Sequence, residues 1–154
     1  MQRHSGFSLM EILIALVIIG ILGSLVIGNF IGAVDDSRFT KLKSDFKTYQ
    51  TGLMRYYNDN GFFPSSEQGL KALEQKPETN PEPKNYPRGG YLQVEKDPWG
   101  NEYLYLSPAE YGDGDFEIVS LGSDGQEGGE GMAQDVFNWN VDEYIEANKK
   151  QEDN

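Results

Sequence analysis

The chain has no cysteine, a single histidine (His4), and only 13 lysine and arginine residues against 25 aspartates and glutamates. Without thiols there can be no disulfide, no zinc–thiolate centre and no cysteine nucleophile. With so few cations the formal net charge is −12. That argues against a nucleic-acid partner, because phosphate binding needs a basic face. An acidic surface keeps a protein soluble and also supplies oxygen ligands suited to hard cations such as calcium. No nucleophile motif is present, and no segment has the spacing of an EF-hand. At 154 residues the chain has the size of one ordinary domain.

Charge is missing altogether from one stretch. After MQRHSG the chain reads Phe7-Ser8-Leu9-Met10-Glu11 and continues as ILIALVIIGILGSLVIG with no charged residue. Together with its ends, this run is long enough to cross a hydrocarbon core of about 30 Å as a helix. A Sec-type cleavable signal has a shorter apolar core, about 7–15 residues, and a small-residue cleavage site. Here only Gly32-Ala33 offers such a site. Glu11 needs an explanation, because an ionisable group in a membrane segment is costly and marks a functional site by default. The positive end of the helix macrodipole eases that cost in the first turns. A cation supplied by another subunit would ease it further.

Gly6-Phe7-Ser8-Leu9-Met10-Glu11, followed directly by an apolar helix, resembles the class III signal of type IV pilins and pseudopilins. The resemblance implies that a prepilin peptidase cuts between Gly6 and Phe7 from the cytoplasmic side and methylates the new N-terminus at Phe7. It also implies an assembly role for Glu11, whose carboxylate would neutralise the new α-amino group of a neighbouring subunit. The two charges are costly alone in lipid and far cheaper together. Arg3 weighed against Arg38, Lys41, Lys43 and Lys47 favours the opposite orientation by the positive-inside rule; the cleavage signal is given precedence. Gly20, Gly23, Gly28 and Gly32 read either as close helix packing or as a segment weak enough to unwind on assembly. The family usually has proline where this chain has Gly28, so a proline-specific kink does not transfer.

Beyond the apolar run, Phe39, Leu42, Phe46, Tyr49, Leu53 and Tyr56 alternate spacings of three and four. This stripe predicts a helix face packed on a sheet. Asn58-Asp59-Asn60-Gly61 should stop the helix, with Pro64 just beyond. Ser65 with Gln68 predicts a capping box opening a short helix that buries Leu70 and Leu73. Residues 81–90 read as loop. The expected strands are Tyr91-Leu92, Tyr103 to Leu106 and Phe116 to Leu121. Asp97-Pro98-Trp99-Gly100-Asn101 reads as a tight turn with Trp99 as an apolar plug. Asp113, Asp115 and Glu117, spaced by two, are candidates for acid–base chemistry in a hydrolase, but acids in that pattern more often face solvent.

The motifs from Glu67-Gln68-Gly69-Leu70 through Pro81-Glu82-Pro83, DPWGNEY, Ser120-Leu121-Gly122 and Asn138-Trp139 narrow the resemblance to the major pseudopilins of type II secretion, the general secretory pathway protein G family. The fold this implies is α+β and type IV pilin-like: a long N-terminal helix packed on a small antiparallel sheet, with a C-terminal metal-binding loop. The implied organisation is a leader at 1–6, a transmembrane and assembly segment at 7–34, a periplasmic globular domain at 35–140 and a polar tail at 141–154, either a frayed helix or disordered. The implied function is structural: a homopolymer through N-terminal helices, working with other pseudopilins and inner-membrane secretion components in export of folded proteins. A type IV pilin forming a surface fibre is the alternative. The glycine-rich segment SLGSDGQEGGEGMAQDVFNW gathers Asp124, Glu127, Glu130 and Asp135 in one short loop, where carboxylates repel one another unless solvated or bridged by a cation. Family similarity implies calcium there, with Asp124 and Asp135 as side-chain ligands and Leu121 and Gln126 as carbonyl donors. Gln134 stands where some relatives have an acid, and ligands between Glu127 and Met132 have no assignment.

Overall fold

The structure, a computed structural model, describes residues 8–152, with side chains other than those of 23–33 and 151–152. Gly6 and Phe7 lie outside the described residues, as do the surroundings of Gly23, Gly28 and Gly32. The chain divides into two compact units, Met1–Ser37 and Arg38–Asn154.

In the first unit Ser8 starts helix α1 (Leu9–Asn60). The Ser8 carbonyl accepts the N–H groups of Glu11 at 3.0 Å and Ile12 at 3.2 Å, and its hydroxyl accepts that of Met10 at 3.3 Å. A serine at this position satisfies donors that have no partner inside the helix. Glu11 therefore occupies the first turn.

In the second unit the expected stripe forms the core. Phe39, Leu42, Phe46, Tyr49, Leu53 and Tyr56 are each at most 2% exposed. Burying side chains of this size stabilises by about 1.5–3 kcal/mol each, before the cost of ordering them. Tyr103 packs its ring against Phe46 and Tyr49, at centroid distances of 5.6 and 5.3 Å. The helix stops where the sequence says it should. Gly61, with φ +83°, donates its N–H to the Tyr57 carbonyl at 2.7 Å, closing the last turn in a conformation that favours glycine.

The capping box also forms. The Ser65 N–H donates to Gln68 Oε1 at 3.0 Å, and the Gln68 N–H donates to Ser65 Oγ at 3.2 Å. What it opens is a turn leading into a short 3-10 helix, Leu70–Leu73, and not an α-helix. Tyr91-Leu92 is not a strand. Both of its N–H groups bond to the Leu73 carbonyl, at 2.7 and 3.3 Å, so they close the end of the 3-10 helix and are not available as donors to a sheet.

The sheet has three short antiparallel strands in the order β1 (Leu104–Leu106), β2 (Glu117–Ser120), β3 (Val136–Phe137). Leu104 pairs with Val119 and Leu106 with Glu117 on one side of β2, while Val119 pairs with Phe137 on the other. The tail from Val141 to Glu152 forms helix α2. It is polar in composition, yet Val141, Tyr144 and Asn148 are buried. Tyr144 meets Phe39 edge-on at 5.9 Å, and Lys43 pairs with Asp142 at 2.6 Å.

Candidate functional site

Two places attract functional interest, one in each unit. In the first unit, every described side chain from Ser8 to Leu22 is exposed. Leu9, Leu13, Leu16, Val17, Ile19 and Leu22 are each more than half exposed. A helix that is apolar on all sides is stable only if something covers it. Glu11 is the one charged residue among these side chains, and it is exposed as well. Among the described residues, no helix is long and apolar enough to cross a membrane.

In the second unit the loop between β2 and β3 is built by close backbone approach. The Ser123 N–H donates to the Met132 carbonyl at 2.8 Å, joining the two arms. Gly122 has φ +59°, and a Cβ there would lie 2.7–2.8 Å from backbone atoms of Ala133 and Gln134. Only glycine satisfies both the dihedral and the space. Asp124 Oδ1 accepts the Gln126 N–H at 3.1 Å, an Asx turn, and the Leu121 carbonyl accepts the Gly125 N–H at 3.2 Å. Asp135 Oδ2 accepts the Gly128 N–H at 2.9 Å, whereas Asp135 Oδ1 is buried without a hydrogen-bond partner. Glu127 and Glu130 are exposed. Among the described residues, no group of three or more His, Asp or Glu side chains converges as a metal site would.

The loop is held by residues whose role was not visible in the sequence. Asp97 is 3% exposed and spends both carboxylate oxygens. Oδ1 accepts the N–H groups of Trp99 at 3.0 Å and Asn101 at 2.7 Å, which makes the expected tight turn. Oδ2 accepts the Ser120 hydroxyl at 2.6 Å, at the point where β2 enters the loop. Asn101 Nδ2 then donates to the Gly122 carbonyl at 2.8 Å. The turn is thus the foundation of the loop. On the far arm, Tyr144 of α2 donates its hydroxyl to Met132 Sδ at 3.7 Å.

The three acids spaced by two do not form a catalytic group. Asp113 and Asp115 are exposed, and Glu117, expected to face solvent with them, is completely buried. Its carboxylate accepts the N–H groups of Glu110 at 3.0 Å and Tyr111 at 3.2 Å and the Trp139 indole at 3.4 Å. The loop from 107 to 116 folds over that face of β2, so strand alternation does not deliver Glu117 to water.

The phenols of the core are held neutral. Burial, reinforced by a 2.8 Å hydrogen bond to Asp45, pushes the Tyr103 pKa far up. Burial raises those of Tyr56 and Tyr91 to about 12. Lys41 loses hydration on burial, but hydrogen bonds to Asp45 and Glu95 outweigh that and raise its pKa.

Comparison with known proteins places these features in context. A family described as "Type II secretion system (T2SS), protein G" matches residues 29–139, and a "Prokaryotic N-terminal methylation motif" matches residues 1–27. The type II secretion system core protein G of Vibrio cholerae is 44% identical over 145 residues, covering 94% of this chain and 97% of that protein. Its counterpart in Pseudomonas aeruginosa is 45% identical over 139 residues, covering 90% and 96%. Among solved structures, the major pseudopilin from the type 2 secretion system of enterohaemorrhagic Escherichia coli superposes with a TM-score of 0.62 at 39% identity, over 72% of this chain and 94% of that one.

Proposed function

The chain belongs to the type II secretion system protein G family and is a pseudopilin subunit of that system, a structural protein and not an enzyme; on that premise we propose how it is anchored, processed and assembled. The apolar run holds the precursor in the bacterial inner membrane in a single pass, with the globular unit in the periplasm. Prepilin peptidase cuts between Gly6 and Phe7 and methylates Phe7. The mature chain then polymerises through its N-terminal helix, alongside other pseudopilins and inner-membrane components, into a pseudopilus that supports export of folded proteins. The carrying observation is the uncovered apolar surface of α1 from Leu9 to Leu22. In water such a surface is unfavourable by roughly 25 cal/mol per Å² of apolar area. Lipid covers it before assembly and sister helices cover it afterwards. Glu11, in the first turn, pairs with the methylated α-amino group of a neighbour and rewards correct axial register.

We also propose that the β2–β3 loop holds calcium. Asp124 and Asp135 supply carboxylate oxygens, and Leu121 and Gln126 supply carbonyls. Support comes from Asp135 Oδ1, a buried acceptor with no donor, and from carbonyls, which keep a second lone pair after one hydrogen bond. Calcium accepts such a mixed oxygen set, completed by water. When bound, the ion would neutralise the loop's carboxylates.

Intact mass spectrometry of the purified protein should give a chain starting at methylated Phe7. A mass that retains Met1, or that begins after Ala33, refutes the processing. For the loop, a chelator should lower the melting temperature of the globular unit, and Asp124→Ala should abolish that response. Equal melting with and without chelator would remove calcium from the account.

A further inference from the structure

We propose that the globular units of neighbouring copies make a head-to-tail contact, in which the Tyr111 loop of one copy seats in a cationic groove beside α1 of the next. This rests on the pseudopilus-subunit reading and goes beyond it, since that reading locates assembly in the N-terminal helices.

The groove comes first. Lys47, Thr51 and Arg55 recur every four residues and so share one face of α1. They border a depression of about 380 Å³ whose floor includes Gly52 and Leu92. Gly52 sits in mid-helix, where glycine costs about 1 kcal/mol relative to alanine. A Cβ there would collide with Leu92, so the glycine lets the loop lie close against the helix. Lys47 and Arg55 are exposed and form no ion pair among the described residues. In a chain of net charge −12, two cations without an ion pair on one helix face beside Leu92 leave positive charge available to an acidic partner.

The complementary feature lies elsewhere on the same unit. Tyr111 is 67% exposed and Trp139 is 53% exposed. Their rings flank Phe137, at centroid distances of 5.4 and 5.1 Å, forming a continuous aromatic knob. Exposed Glu110 and Asp113 adjoin it. The knob is rigid, because the buried Glu117 carboxylate clamps the N–H groups of Glu110 and Tyr111 as well as the Trp139 indole. Pre-organisation of this kind lowers the entropic cost of docking.

The two surfaces are complementary in charge and both apolar at the centre: an aromatic knob with carboxylates for an apolar floor with cations. Arg55 and Lys47 gain cation–π contacts as well as ion pairs. Copies that each carry net negative charge repel one another unless opposite charges are brought together where they touch. Because knob and groove are different patches, the contact is heterologous, and a heterologous contact that does not close on itself propagates as a helix.

The absence of cysteine makes the test clean. In filaments assembled from the full chain, the double variant Thr51→Cys, Asp113→Cys should form an inter-subunit disulfide ladder on oxidation, and neither single variant should. Lys47→Glu with Arg55→Glu should reduce filament yield at least about tenfold, and adding Glu110→Lys and Asp113→Lys should restore it. Filaments that assemble normally yet give no ladder, or charge reversal that leaves yield unchanged, would overturn the contact while leaving the subunit reading intact. A wild-type chain that forms no filament at all would overturn the subunit reading, and the contact with it.

Discussion

Helix α1 has two halves with opposite rules for apolar residues. From Leu9 to Leu22 the side chains, Glu11 apart, are apolar on every side and all exposed. From Phe39 to Tyr56 all the large apolar side chains except the half-exposed Met54 keep to one stripe, and that stripe is fully buried. The second half finds its solvent inside the same chain, in the sheet and the loops folded against it. The described side chains of the first half are left exposed, so their covering is to be sought outside the fold of the globular unit. The composition of each half therefore says who supplies the covering: the stripe specifies a fold, and the uniform surface specifies an assembly.

The sharpest way to break this comparison is to remove an apolar group from each half. Phe46→Ala should cost the globular unit about 3–5 kcal/mol in urea unfolding of the detergent-solubilised chain, because it opens a cavity beside Tyr103. Ile18→Ala should leave the same transition where it was. Equal effects would mean that the halves are not energetically separate. The glycines sharpen the contrast at smaller scale. A Cβ on Gly20 meets nothing within 4 Å, so Gly20→Ala should leave the globular unit's melting unchanged and raise helicity. Gly122→Ala combines a positive φ with a backbone clash and should cost roughly 2 kcal/mol, read as a lower melting temperature. The smallest effect concerns pH. All nine tyrosines fall in the second unit. The pKa values of Tyr56 and Tyr91 are raised from 10.0 to about 12, and that of Tyr103 is raised further, by burial first and Asp45 second. An unfolded phenol releases its proton near pH 10 while the folded one keeps it, so their contribution is intact below about pH 10 and is lost progressively above it. Tyr103→Phe should cost about 1 kcal/mol near neutrality and make the loss above pH 10 less steep. Circular dichroism across that range should show the globular unit melting, with no phenol to perturb the first half of α1.

What was legible in the sequence follows from how local each cause is. The stripe, the Gly61 stop and the Ser65–Gln68 capping box depend on neighbours within a turn or two, and all are where periodicity and capping rules put them. β3 is only two residues long, too short for alternation to register. Tyr91-Leu92 has strand composition, but its backbone donors are taken by Leu73. Asp97 looks like an ordinary turn residue because its link to Ser120 crosses 23 positions. Glu117 belongs to a strand whose four residues are all buried, so polar alternation misleads there. The one local hint for Asp97 was that an aspartate opening a Pro-Trp-Gly turn has a second carboxylate oxygen free to act at a distance.

Helix α2 closes the molecule by setting Tyr144 over Phe39 and Asp142 against Lys43. Since Phe39 is made more than a hundred residues before Tyr144, the unit cannot be sealed until α2 has emerged. A product broken off before Val141 presents an uncovered aromatic ring at the root of the domain.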